Sequence, residues 1–126
     1  MTGFIVFAHG SRIESANQAV RDIAARMAGS RGEIVEPAFL ELGEPDLSGA
    51  AARLVARGVS HIIVIPYFLT LGTHMQRDLP RLAEDASLRN GGVEINVTSP
   101  LDGHPALLEA LLDRASEAQK PPKNPA

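Results

Sequence analysis

The sequence predicts an α/β domain: a four-stranded parallel sheet in the order 2-1-3-4 with helices on both faces. Three observations carry that expectation. Strand-like and helix-like segments alternate four times along the 126 residues, the pattern of a parallel sheet with crossover helices. Two of the strand-like segments, Phe4-Ile5-Val6-Phe7-Ala8 and Ile62-Ile63-Val64-Ile65, are uncharged and rich in β-branched side chains, as strands buried on both faces are. The other two carry the marks of sheet edges. Central first and third strands with outer second and fourth strands give the order, and right-handed crossovers distribute the helices over both faces.

The first strand ends in His9-Gly10-Ser11-Arg12. Ser15 and Gln18 have capping-box spacing, and Ala16, Val20, Ile23, Ala24 and Met27 form one helical stripe. Gly29 to Gly32 breaks that helix. The second strand, Glu33 to Leu40, contains Pro37, which cannot donate to a ladder and so places the strand at an edge. Asp46 caps a second helix with Leu47, Ala50, Ala51, Leu54 and Val55 inward, closed by Gly58. The third strand stops at Pro66. A loop through Tyr67, Phe68 and Gly72 follows, and Thr73 with Gln76 again has capping-box spacing, placing His74 in the first helical turn. Pro80 leaves that start open, with Asp78 as an alternative cap. Val93 to Thr98 alternates apolar and polar, the pattern of a strand with one wet face. Pro105 opens the last helix, with Leu107, Leu108, Leu111, Leu112 and Ala115 as its buried side. Residues 1–117 are expected to form one domain and 118–126 a flexible Pro/Lys tail.

Composition narrows the chemistry. A net charge of −3 gives no field for nucleic acid or an anionic membrane, so neither is expected as a partner. The chain has no cysteine, which removes disulfides, thiolate catalysis and thiolate metal sites. A metal would have to bind histidine, carboxylate or water. No stretch approaches the apolar length of a membrane span and the start is not signal-like, so a cytoplasmic protein is expected.

In the order 2-1-3-4 the chain reverses between the first and third strands, where open α/β sheets bind ligands beyond the carboxyl ends. His9 and His74 follow those two strand ends, with Glu41 just past the neighbouring strand. Two neutral imidazoles and a carboxylate suit a first-row divalent ion, and without thiolate the ion would be released readily. The plainer alternative makes both histidines helix-entry residues and Glu41 a surface carboxylate. Ser11 and Arg12, with Arg77 across the crevice, are candidates to hold ligand carboxylates, or are ordinary solvated surface. Tyr67 and Phe68 offer a wall for a flat ligand or simple packing. His61 reads as surface, His104 as a helix-entry residue, and Asp78 as a cap more readily than a partner of an imidazole. No phosphate-binding glycine motif occurs.

Several segments together resemble the CbiX-type sirohydrochlorin chelatases. They are Phe7-Ala8-His9-Gly10-Ser11-Arg12, Phe39-Leu40-Glu41 to Pro45, Pro66-Tyr67-Phe68-Leu69 with Gly72, His74, Asp78 and Pro80, and His104-Pro105. The resemblance runs from Phe4 to about Leu112. It implies a class II chelatase that inserts cobalt, iron or nickel into a tetrapyrrole, with the metal as substrate and no organic cofactor. It implies the short single-domain form, paired as a homodimer. It also implies His9 and His74 as the metal-binding and catalytic pair, with Glu41 assisting. Thr73 departs from the family pattern, which has a basic or apolar residue there. Two other functions compete: a non-catalytic metal carrier or sensor using the same histidines, and phosphoryl transfer. Histidine phosphatases carry an arginine immediately before the histidine, where this chain has Ala8.

Overall fold

The computed structural model describes residues 1–119; the expected tail beyond Gln119 lies outside the described residues. The elements are β1 (Thr2–Ala8), α1 (Glu14–Arg31), β2 (Ile34–Phe39), α2 (Leu47–Ala56), β3 (His61–Pro66), α3 (Thr73–Arg89), β4 (Glu94–Val97) and α4 (Pro105–Gln119). The four strands pair in the order β2-β1-β3-β4, all parallel, as the distribution of apolar runs requires. Pro37 sits on the edge strand β2, and Pro66 is the last residue of β3.

Each face of the sheet carries its own core. On one, Ile5, Phe7, Ile62 and Val64 pack with Leu47, Ala51 and Leu54 of α2 and Leu79 and Ala86 of α3. On the other, Val6, Ala8 and Val35 pack with Val20 and Ala24 of α1. Phe7 and Phe39 are both closed from solvent, and each such ring contributes about 2–3 kcal/mol to the folded state.

Several local expectations are corrected. Neither capping box forms: α1 follows Ile13 and α3 follows Gly72, both without a side-chain cap. Ser15 and Thr73 lie one or two residues too late to serve. The buried stripe of α1 is Asn17, Val20 and Ala24, with Met27 partly buried, while Ala16 and Ile23 face solvent. Glu14 instead opens α1 with an ion pair to Arg21, which holds its carboxyl below the usual range. α3 runs unbroken from Thr73 with Pro80 in its interior, so Asp78 is not a cap. Asp46 does cap α2, accepting from the Gly49 N–H at 2.8 Å.

The largest departure is α4. Its leucines were expected to form a buried side, yet α4 buries no residue. Leu108, Leu111 and Leu112 are 63%, 69% and 58% exposed. The hydrophobic periodicity is real, but its complement is not found within this chain. Among the described residues no helix is long and apolar enough to cross a membrane.

Candidate functional site

The predicted residues gather at the carboxyl end of the sheet. β1 delivers His9 one residue past its last pair, and the parallel pairing with β2 continues beyond both strand ends. Leu40 N–H donates to the Ala8 carbonyl at 2.9 Å, and Glu41 N–H donates to the His9 carbonyl at 3.1 Å. His9 and Glu41 are therefore held side by side through their backbones. Gly10 makes this possible. Its φ is +90°, and a Cβ there would stand 1.6 Å from the Glu41 carbonyl oxygen. Any side chain at this position would drive the two strand ends apart.

The turn after Gly10 is fixed by a residue that the apolar pattern did not single out. Asn17, 2% exposed, accepts from the Ser11 N–H at 2.9 Å and donates to the Ser11 carbonyl at 2.9 Å and the Leu42 carbonyl at 2.8 Å. It thus ties the loop carrying His9 to the loop carrying Glu41, where Leu42 takes a positive φ of 57°. An amide on the buried side of α1, in line with Val20 and Ala24, was the available signal. Ser11 Oγ accepts from the Ile13 N–H at 3.0 Å, so the hydroxyl shapes the turn, while Arg12 is exposed.

β3 approaches from the other side. Tyr67 N–H donates to the Phe7 carbonyl at 2.7 Å, and Tyr67 is 39% exposed. The Phe68 ring meets the His9 ring edge-on at 5.3 Å and the Phe7 ring at 6.2 Å. Packing and wall, the two readings of Phe68, are thus met by one ring. The loop continues to Gly72, and His74 is the second residue of α3, in its first turn as expected. Arg77, one turn on, places Nη2 3.0 Å from His74 Nδ1.

His9, His74, Glu41, Arg12 and Arg77 are all exposed. Among the described residues no three histidine, aspartate or glutamate side chains converge to hold an ion together. Glu41 opens on a polar depression of about 450 Å³ shared with Leu40, Glu44 and Arg53. A second, apolar depression of about 420 Å³ lies between the Leu69-Thr70 loop and Leu107 and Leu111 of α4. The two remaining histidines stand apart from this chemistry. His61 Nε2 bonds Asn96 Oδ1 at 2.6 Å at the amino end of β3, and His104 Nδ1 accepts the Ala106 N–H at 3.0 Å, as a helix-entry residue does.

A parallel α/β domain with imidazoles after its two central strands and arginines around them belongs to the class of domains that handle a metal beside an anionic ligand. Comparison with known proteins narrows this class. The CbiX family model matches residues 3–118. The chain belongs to the CbiX family.

The chain is 32% identical over 120 residues to the sirohydrochlorin cobaltochelatase of Sulfurisphaera tokodaii, covering 93% of each chain. It is 35% identical over 113 residues to the chloroplastic sirohydrochlorin ferrochelatase of Arabidopsis thaliana, covering 89% of this chain but only 50% of the plant protein. The chain thus spans nearly all of the archaeal relative and half of the plant one. Among solved structures, the sirohydrochlorin chelatase SirB from Bacillus subtilis subspecies spizizenii, in complex with cobalt, superposes with a TM-score of 0.84 at 25% identity. That match covers 92% of this chain and 50% of SirB.

Proposed function

We propose that this protein is a sirohydrochlorin chelatase, a lyase that inserts divalent cobalt, iron or nickel into a tetrapyrrole for cobalamin or siroheme-type biosynthesis. The observation that carries the reading is the placement of His9 and His74 after the adjacent central strands β1 and β3 in a chain of the CbiX family. The metal is a substrate, cobalt being the first choice, and the reaction needs no organic cofactor. The active unit in this reading is a cytoplasmic homodimer, because one shallow crevice gives a macrocycle only one wall and a two-fold pair gives it two.

His9 and His74 hold the ion by their imidazoles, and water fills its other positions. Pyrrole nitrogens replace those waters in turn. Each pyrrole N–H that gives up its proton needs an acceptor nearby, and Glu41, fixed beside His9 by the backbone, or an imidazole released by the ion, serves. Ser11, Arg12 and Arg77 meet the ring's carboxylates, with Tyr67 and Phe68 against its flat face. A carrier that retains its ion calls for a denser set of protein ligands than two imidazoles, so transfer suits these residues better than storage.

The test mixes protein, cobalt or ferrous ion and sirohydrochlorin and follows the visible absorption of the macrocycle. Insertion well above the uncatalysed rate supports the proposal. Metal binding without faster insertion would make the protein a carrier instead.

A further inference from the structure

A parallel sheet is stable when both of its faces are covered, and here one face is covered only in part. Phe4 pairs with Ile63 and Val6 with Ile65 across β1 and β3, so Ile63 and Ile65 share the face on which Val6 packs under α1. α1 lies over β1 and β2 and does not reach β3. Ile63 and Ile65 are only partly buried and join neither core cluster. Beside them, Ile23 of α1 is 41% exposed. The result is an apolar strip along β3 with room for one more helix.

The chain also contains a helix in need of such a strip. In α4, Leu108, Leu111 and Leu112 follow one another at helical spacing, all more than half exposed, and the helix buries nothing against its own sheet. Its 15 residues span about 22 Å, enough to run the length of a six-residue strand. α4 also starts at the carboxyl end of the sheet, where Leu101 N–H donates to the Phe68 carbonyl. That is the end at which the proposed two-fold pair would meet.

From these complementary surfaces we infer that two copies of this chain exchange α4, each laying Leu108 and Leu112 over Ile63 and Ile65 of the other. The inference rests on the homodimer reading above and adds the surface that makes it. Exchange is isologous: each copy gives a helix and receives one, so two apolar surfaces are buried on each side. A second copy is favoured over an unrelated partner because the strip and the helix come from the same chain in equal number. Double-length SirB, of which this chain covers half, holds a comparable domain and as much chain again.

The absence of native cysteine allows a direct test. Ile63→Cys protein is mixed with Leu108→Cys or Leu112→Cys protein, allowed to exchange subunits, and treated with a short bis-maleimide. Cross-linked dimers from the mixture, and few from either variant alone, are expected. Leu108→Asp/Leu112→Asp, checked by circular dichroism for retained helix and strand, should weaken self-association by about thirtyfold or more in sedimentation. Three results overturn the inference. If Ile63→Cys/Leu112→Cys in one chain cross-links only internally, α4 folds over its own sheet. If the unmodified protein is dimeric but the mixture does not cross-link, the homodimer stands and the exchange falls. If the unmodified protein sediments as a monomer with and without tetrapyrrole, both fall together.

Discussion

Arg77 Nη2 lies 3.0 Å from His74 Nδ1, one turn further along α3. A guanidinium only donates, so Nδ1 is the accepting nitrogen and the neutral ring carries its hydrogen on Nε2. The nitrogen with a free lone pair is thus the one Arg77 occupies. An ion entering at Nδ1 displaces the guanidinium, which is then available to a carboxylate of the macrocycle. Arg77→Gln removes a positive charge beside the ion, worth about 1 kcal/mol after screening by water and salt, or roughly fivefold in affinity. Titration calorimetry with cobalt alone should show that gain, and the same variant should show a raised KM for the tetrapyrrole. Unchanged cobalt affinity would count against Nδ1 as the ligand atom.

His9→Ala and His74→Ala should each abolish measurable insertion while leaving the fold intact. Both side chains are exposed, so each change should move stability by no more than about 0.5 kcal/mol. Paired measurements of insertion rate and urea midpoint check this. Wild-type turnover in either variant would remove that imidazole from the reaction.

Asn17→Ala should cost about 3 kcal/mol, because it leaves the Ser11 N–H and two carbonyls without their buried partner. Urea denaturation measures the loss. Insertion should also fall at temperatures where the variant is fully folded, since the turn behind His9 is no longer pinned.

Gly10→Ala should be more damaging than its size suggests. The new methyl would overlap the Glu41 backbone, and the residue would be left at a φ of +90°, which L side chains rarely adopt. Destabilisation of about 3 kcal/mol or more is expected by chemical denaturation. Gly29→Ala, in open space on α1, is the control and should be neutral or stabilising.

The sheet order was legible because burial is written directly into composition. Runs such as Ile62 to Ile65 tolerate no charge when both sides are covered, and Pro37 is affordable only at an edge. Helix starts were less legible. Ser15 and Thr73 satisfy a spacing rule, but the backbone begins its helices where the preceding loops release it, at Ile13 and Gly72. The burial of α4 was misjudged for a different reason: periodicity reports that a face is apolar and says nothing of which surface it meets. His9 and His74 could be found because topology alone carries both to the same end. Asn17 and the contact between Phe68 and His9 could not, since they depend on how loops pack after the strands have ended.

The edge-on seat of Phe68 against His9 has a mechanical consequence. The same short loop that props one imidazole leads directly into the helix bearing the other. A macrocycle pressing on that aromatic ring therefore pushes on the mounting of both nitrogen donors at once. The grip on the ion and the arrival of its acceptor become one movement, with a single benzyl group as the fulcrum.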